Sequence, residues 1–414
     1  MRRAATAWEA ADVAATDLRR RGALLMTHPM RRRTSPAAAA RGHGAVVLAA
    51  VALPGVWIPP AHADAAPENG VIAFKYLYYE DAQPGLRRIR VDSPSLYVMA
   101  PIGAQWMVEA SAVVDALSGA TPRWQSAISS ASVMHEERKA ADIKVTRYFD
   151  RASYAIGASR STEHDYASSA VSLTGSWSSD DNNTTWNLGV AGARDRINPT
   201  DGGVPGVSGR SKQTAELMIG VTQAVSSVDL AQLNLTYSAG RGYYDDPYKL
   251  LDRRPDRRRQ LALLARWNHH LETDRSTLRG SYRFYGDSFG ISAHTLQGEW
   301  VKPVSEALTL TPSVRLYTQS AATFYAAARY DANGAPILPS VRAGQLNSGD
   351  QRLSAFGAVT LGLKAQYRLD ALWTVDLKFE AYEQRSGWRI GGAGSDHVDP
   401  FRARIVQFGV SRKF

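Results

Sequence analysis

Two stretches of this 414-residue chain carry side chains that could do chemistry. In the first, Asp115 and Thr121 are followed by His135, Glu136 and Glu137, oxygen and imidazole donors suited to a cation or a polar ligand. The set has neither a His pair at i, i+4 nor any comparable metal-ligand spacing. A solvated loop folded over an opening therefore competes with it, and no metal or cofactor is expected. In the second, Tyr243, Tyr244, Asp245, Asp246 and Tyr248 run into Arg253, Arg254, Arg257, Arg258 and Arg259. That mixture suits anionic or ring-bearing ligands, but a loop that pairs its own charges has the same composition. It is too mixed in sign for nucleic acid, which asks for a basic stripe or tail. The absence of cysteine removes thiolate catalysis, disulfides and cysteine metal sites together. A hydrolase would need a Ser or Asp activated beside a His. His294 has no such partner fixed by the sequence, so no enzymatic activity is expected.

The elements that position these residues alternate at period two. Trp373, Val375, Leu377, Phe379 and Ala381 share one face, and Thr374, Asp376, Lys378, Glu380 and Tyr382 the other. Strict alternation marks a half-buried strand. A charged row beside an unbroken apolar row fits a strand with lipid on one side and a wet lumen on the other. The pattern recurs with Trp106, Val108, Ala110, Ala112 and Val114 against Met107, Glu109, Ser111, Val113 and Asp115. It recurs again with Leu278, Gly280, Tyr282 and Phe284 against Arg279, Ser281, Arg283 and Tyr285. The lumen row built this way carries Arg90, Glu109, Asp115, Lys144, Arg279, Arg283, Glu299, Arg315, Lys378 and Glu380.

Such segments number sixteen: 70–79, 87–100, 104–116, 137–149, 152–163, 166–178, 184–197, 211–224, 227–240, 257–268, 274–285, 291–301, 307–319, 350–366, 371–384 and 400–414. Connections after even segments are all short. Those after odd segments are often long: 117–136, 198–210, 241–256, 320–349 and 385–399. Sorting by parity is the rule of transmembrane barrels, with short turns periplasmic and long loops extracellular. A soluble sandwich has no reason to obey it. The expected fold is an all-β transmembrane antiparallel barrel of about sixteen strands. The last segment places Val406, Phe408, Val410 and Phe414 on one face and ends on an aromatic residue, which resembles the signal read by the barrel-assembly machinery. Arg412 interrupts that row.

The front end reads as an export signal. Arg31, Arg32 and Arg33 precede an apolar run at 46–58, and Ala61-His62-Ala63 makes a small-residue exit, the three parts of a secretory signal. The expected division is 1–29 as a misassigned extension ahead of Met30, 30–63 as signal peptide, and 64–414 as the barrel, starting at Asp64. Residues 1–63 hold a net charge of +6 out of the chain's +10. The remainder is close to neutral, which again excludes a nucleic-acid partner.

Residues 115–122 (DALSGATP), 135–138 (HEER) running into 142–148 (DIKVTRY), and 242–249 (GYYDDPYK) followed by 254–257 (RPDR) resemble a family of bacterial outer-membrane barrels, domain of unknown function 3570. Residues 351–357 (QRLSAFG) are similar to the family's late strand. The resemblance covers essentially the whole mature chain and implies a barrel in the bacterial outer membrane. It brings no activity with it. Expected partners are outer-membrane lipid and lipopolysaccharide, and the barrel-assembly machinery during biogenesis. Two functions remain open: a passive or ligand-selective pore, and a non-conducting docking barrel for a periplasmic or surface partner. Loop 320–349, with Phe324, Tyr325 and Tyr330, is long enough to fold inward and block conduction.

Overall fold

The computed structural model describes residues 66–119, 134–199, 203–249, 251–327, 329, 331–333, 337 and 340–414. The expected extension, the signal segment and the start at Asp64 lie outside the described residues, as do Thr121 and Tyr330. The strands are β1 (Val71–Gln83), β2 (Leu86–Ile102), β3 (Trp106–Gly119) and β4 (Met134–Phe149). They continue with β5 (Ala152–Thr162), β6 (Tyr166–Ser178), β7 (Thr184–Ile197) and β8 (Arg210–Ala224). Then come β9 (Asp229–Gly242), β10 (Arg257–Leu271), β11 (Ser276–Asp287) and β12 (Ser292–Pro303). The last are β13 (Leu308–Gln319), β14 (Phe356–Arg368), β15 (Trp373–Arg385) and β16 (Phe401–Lys413).

Each strand pairs antiparallel with its sequence neighbours, and β1 pairs with β16 to close a sixteen-stranded barrel. Closure leaves no edge strand with unpaired backbone groups, which is what the interior of a bilayer demands. Outward positions carry the apolar rows: Leu377 and Phe379 on β15, Val190 and Leu188 on β7, Leu233 and Leu235 on β9 are all exposed. Trp106, Tyr154, Trp186, Trp267, Trp300, Tyr367 and Trp373 stand outward near the short-turn ends of their strands. They form an aromatic girdle of the kind that seats a barrel at a membrane interface. This architecture is that of a bacterial outer-membrane β-barrel.

The expected segments correspond one to one with the strands, with three informative differences. Strands β1 and β2 extend to a tight turn at Pro84-Gly85, where the +72° φ of Gly85 suits glycine. Strands β3 and β4 run to Gly119 and Met134, so His135 and Glu136 belong to a strand end rather than to a loop. Residues 350–355 are not strand: Asp350 caps a short 3-10 helix at Gln351–Leu353, and β14 starts at Phe356. A carboxylate that accepts from the backbone N–H two residues on stabilises a turn against continuation of the strand.

Candidate functional site

The lumen has two kinds of wall. From β15 round through β1 to β8, inward charges are paired with carboxylates, most of them across strands, and several of the pairs are buried. Arg138 donates to the Asp115 carboxylate at 2.7 Å. Lys144 pairs with Glu109, which also accepts from the Tyr97 hydroxyl at 2.8 Å. Lys212 lies 3.0 Å from Asp195, whose carboxylate takes the Ser168 hydroxyl. Arg88 and Asp81 are both buried and 3.5 Å apart. Lys378 and Glu380 approach to 3.7 Å on β15. Gly409 of β16 sits between Asp376 and Lys75 in the register, and a Cβ there would collide with the Asp376 carboxylate.

From β10 to β14 the inward row is different. Arg266, Arg279, Arg283, Arg315 and Lys364 are only half-buried, and Glu299 and Asp287 are the inward carboxylates of the same strands. Asp287 is held by Arg258. Glu299 accepts from Gln297 at 2.7 Å, and Gln297 in turn accepts from Arg315 at 2.9 Å. Arg283 lies 5.4 Å over the Tyr285 ring. This wall therefore presents an excess of guanidinium charge with partial access to solvent.

Nine of the ten residues read from the sequence as lumen-lining stand on inward rows. Arg90 does not. Its side chain is 57% exposed, pairs with Asp92 at 2.9 Å and lies over the Tyr78 ring, all on the outer face. The reason is local: at the extracellular ends of β16, β1 and β2 the rows invert. Leu77, Tyr79, Ile89, Val91, Phe401, Ala403 and Ile405 form a buried apolar cluster on the inner face. Apart from the buried Asp81–Arg88 pair, the charges there turn outward, above the lipid-facing rows.

The aromatic–acidic–basic loop between β9 and β10 becomes part of a roof. Asp252 takes the Arg254 guanidinium at 2.7 and 2.9 Å, and Asp350, from the loop between β13 and β14, takes both Arg254 at 3.0 Å and Arg352 at 2.5 Å. Ser348 donates to Asp252, and Arg253 and Asn347 bridge through their backbones. The Tyr248 hydroxyl donates to Asp165, in the turn between β5 and β6, at 2.7 Å. Asp245 accepts from the Arg254 backbone N–H at 2.6 Å. Tyr243 packs against Tyr166 and Ile197, and Tyr244 meets Phe289 edge-on at 5.8 Å. Beneath, Phe289, Phe324 and Leu353 bury against inward-facing Ala293, with Tyr285 and Tyr317 beside them. The roof thus rests on the inner wall rather than standing clear of the barrel.

The roof carboxylates have divergent acidities. The paired arginines hold Asp350 well below the usual carboxylate range against the opposing effect of its burial. Burial, with the Asp252 carboxylate beside it, pushes Asp246 up to about 6, and burial raises Asp245 as well. His294 stands outward on β12, with Nδ1 2.7 Å from the Tyr282 hydroxyl. The side chains of His135 and Glu136 lie outside the described residues.

Sequence reasoning missed Asp195, Lys212, Asp252, Ser348, Asp350 and Arg352. A signal existed for some. Asp195 between Arg194 and Arg196 is an inward charge flanked by two outward ones, and Ser348-x-Asp350-x-Arg352 is a turn-forming pattern.

No curated protein sequence is similar to this chain. Among solved structures, CdiB from Acinetobacter baumannii is similar with a TM-score of 0.47 and 10% identity, over 83% of this chain and 60% of that one. This chain therefore spans less than two thirds of that protein. A bacterial polysaccharide outer-membrane secretin is similar at 0.43 and 8% identity, over 86% and 99% of the two chains. Pseudomonas aeruginosa OpdO is similar at 0.40 and 9% identity, over 85% and 98% of the two chains. The family model for proteins of unknown function DUF3570 matches residues 43–134, 129–210 and 204–405, and the chain belongs to that family.

Proposed function

We propose that this barrel is a gated pore with a preference for small anions. The observation that supports it is the β10–β14 wall, where Arg266, Arg279, Arg283, Arg315 and Lys364 remain half-buried against the inward carboxylates Asp287 and Glu299. A sixteen-stranded barrel is wide enough for an aqueous channel, and one sign of charge along a low-dielectric wall concentrates the opposite ion. The roof is the gate. Its hold is the Asp350 carboxylate, shared by an arginine from each of two loops.

A second reading, a non-conducting docking barrel, draws on the same roof, because the β5–β6, β9–β10, β11–β12 and β13–β14 connections are tied to one another or to the wall. Planar-bilayer recording separates the two. Asp350→Asn keeps the shape and removes the charge, and it should raise open probability over the parent protein. Folded parent and variant that both fail to conduct across salt and voltage would eliminate the pore and leave the docking barrel.

A further inference from the structure

The outer surface at the extracellular ends of β5–β10 carries a basic row that is independent of the lumen. The strand register puts Arg160, Ser169, Arg194, Gln213, Arg241 and Arg257 side by side on consecutive strands. The four arginines are exposed. Adjacent strands are about 4.8 Å apart, so guanidinium groups recur along this row at intervals of one or two strand spacings. Arg241 and Arg257 are direct cross-strand partners, a like-charge juxtaposition that is unfavourable by itself.

No carboxylate among the described residues forms an ion pair with these arginines. Arg160 donates to the Ser169 hydroxyl at 2.7 Å and Arg241 to the Gln213 amide oxygen at 3.3 Å. On the other side of the barrel the rim arginines stand beside carboxylates: Arg90 pairs with Asp92, Arg385 and Arg402 with Glu383, and Arg87 lies 3.7 Å from Glu80. The difference is not one of height alone. Both sets are outward and extracellular, and only one keeps its acids.

Below the basic row the register brings Gly192, Ala215 and Ala239 together, and below them Val190, Leu217, Tyr237 and Leu261. Charge, then a shelf of small residues, then an apolar surface is the profile of a phosphorylated headgroup above its acyl chains. Arginine binds phosphate bidentately and stays charged at every relevant pH. We propose that this face is a binding site for a phosphorylated glycolipid of the outer leaflet, with its phosphates on Arg194, Arg241 and Arg257 and its acyl chains along the apolar row. The site stands whether or not the barrel conducts.

The test is native mass spectrometry of the purified, detergent-held barrel with diphosphorylated lipid A as probe. Arg194→Gln/Arg241→Gln/Arg257→Gln should lower the bound fraction about tenfold or more, since each substitution removes a charged contact to phosphate. Arg87→Gln/Arg385→Gln/Arg402→Gln on the opposite rim should leave it within about twofold, because those groups already have carboxylate partners. Heat-modifiable migration on a gel reports folding of each variant. Should the triple variant not fold, Arg241→Gln alone is expected to weaken binding at least threefold. Equal binding by parent and β5–β10 variant would overturn the site. Equal binding of dephosphorylated lipid A would reduce it to an acyl contact, and competition by millimolar inorganic phosphate alone would make it a free-anion site; either contradicts the proposal.

Discussion

The wall from β15 round through β1 to β8 and the wall from β10 to β14 line one lumen with similar residue types, yet they treat charge in opposite ways. On the first, Asp195 with Lys212, Asp115 with Arg138 and Asp81 with Arg88 are cross-strand or adjacent pairs with little access to solvent. On the second, basic residues outnumber acids and stay half-buried. Burying an ion pair costs desolvation that the partner must offset, and removing one partner leaves the other charge stranded. A half-buried arginine that also meets water depends less on any one partner. The first wall therefore depends on its pairs being complete, and the second keeps partial access to solvent.

Substitutions that remove one carboxylate from each wall test that contrast most strongly. Asp195→Asn leaves the buried Lys212 ammonium, and the Tyr166 and Tyr244 rings around it cannot replace a carboxylate. The expected loss is about 3–5 kcal/mol, read as a shift in the urea midpoint for folding into liposomes. Glu299→Gln on the second wall should change the same midpoint by less than about 1 kcal/mol. Equal losses would erase the distinction between the walls.

A slightly smaller effect checks that both walls are inner faces at all. Leu377 is exposed on the outer row and its neighbour Lys378 is largely buried on the inner one. Leu377→Arg should cost about 2–4 kcal/mol at mid-bilayer depth, and Lys378→Leu should cost less. A lipid-phase quencher should reach labels at 375, 377 and 379 and miss those at 374, 376 and 378. Quenching of both rows alike would put the wrong solvent on the apolar face.

The smallest effect belongs to the roof that joins the walls. Asp246 holds its proton to about pH 6 when buried, whereas an exposed aspartate loses it near 4. Between those values the closed roof binds more protons than the open one, so its stability falls as pH rises through that window. Asp245 shifts the same way. Asp350, held low by Arg352 and Arg254, stays ionised and clamped throughout. Conductance should therefore decline on acidification from pH 7 to 5, and Asp246→Asn should flatten that dependence. An increase on acidification would show that a different group governs the roof.

Sixteen strands were legible because each pairs an apolar outer row with a polar inner one, as Leu377 and Lys378 do in successive positions. Loop parity was legible too, since long and short connections need no side-chain knowledge. Arg90 was misread because alternation gives two faces without saying which solvent each one meets. Above the membrane, Ile89 and Val91 turn inward and the charge turns out. The roof was largely hidden. Asp252 and Asp350 are far apart in sequence, and what unites them is the meeting of two loops around Arg254, a contact that no local pattern encodes. That Arg194, Arg241 and Arg257 form no ion pair among the described residues is equally non-local, since it depends on what the neighbouring strands place beside them.

Whether the β10–β14 wall is the conducting path is tested most directly by the reversal potential in a potassium chloride gradient across a planar bilayer. The parent protein should show anion preference. Arg279→Gln/Arg283→Gln/Arg315→Gln should retain conductance steps while its reversal potential moves to zero or to the cation side. A reversal potential unchanged by that triple substitution, in a protein that folds and conducts, would contradict the account.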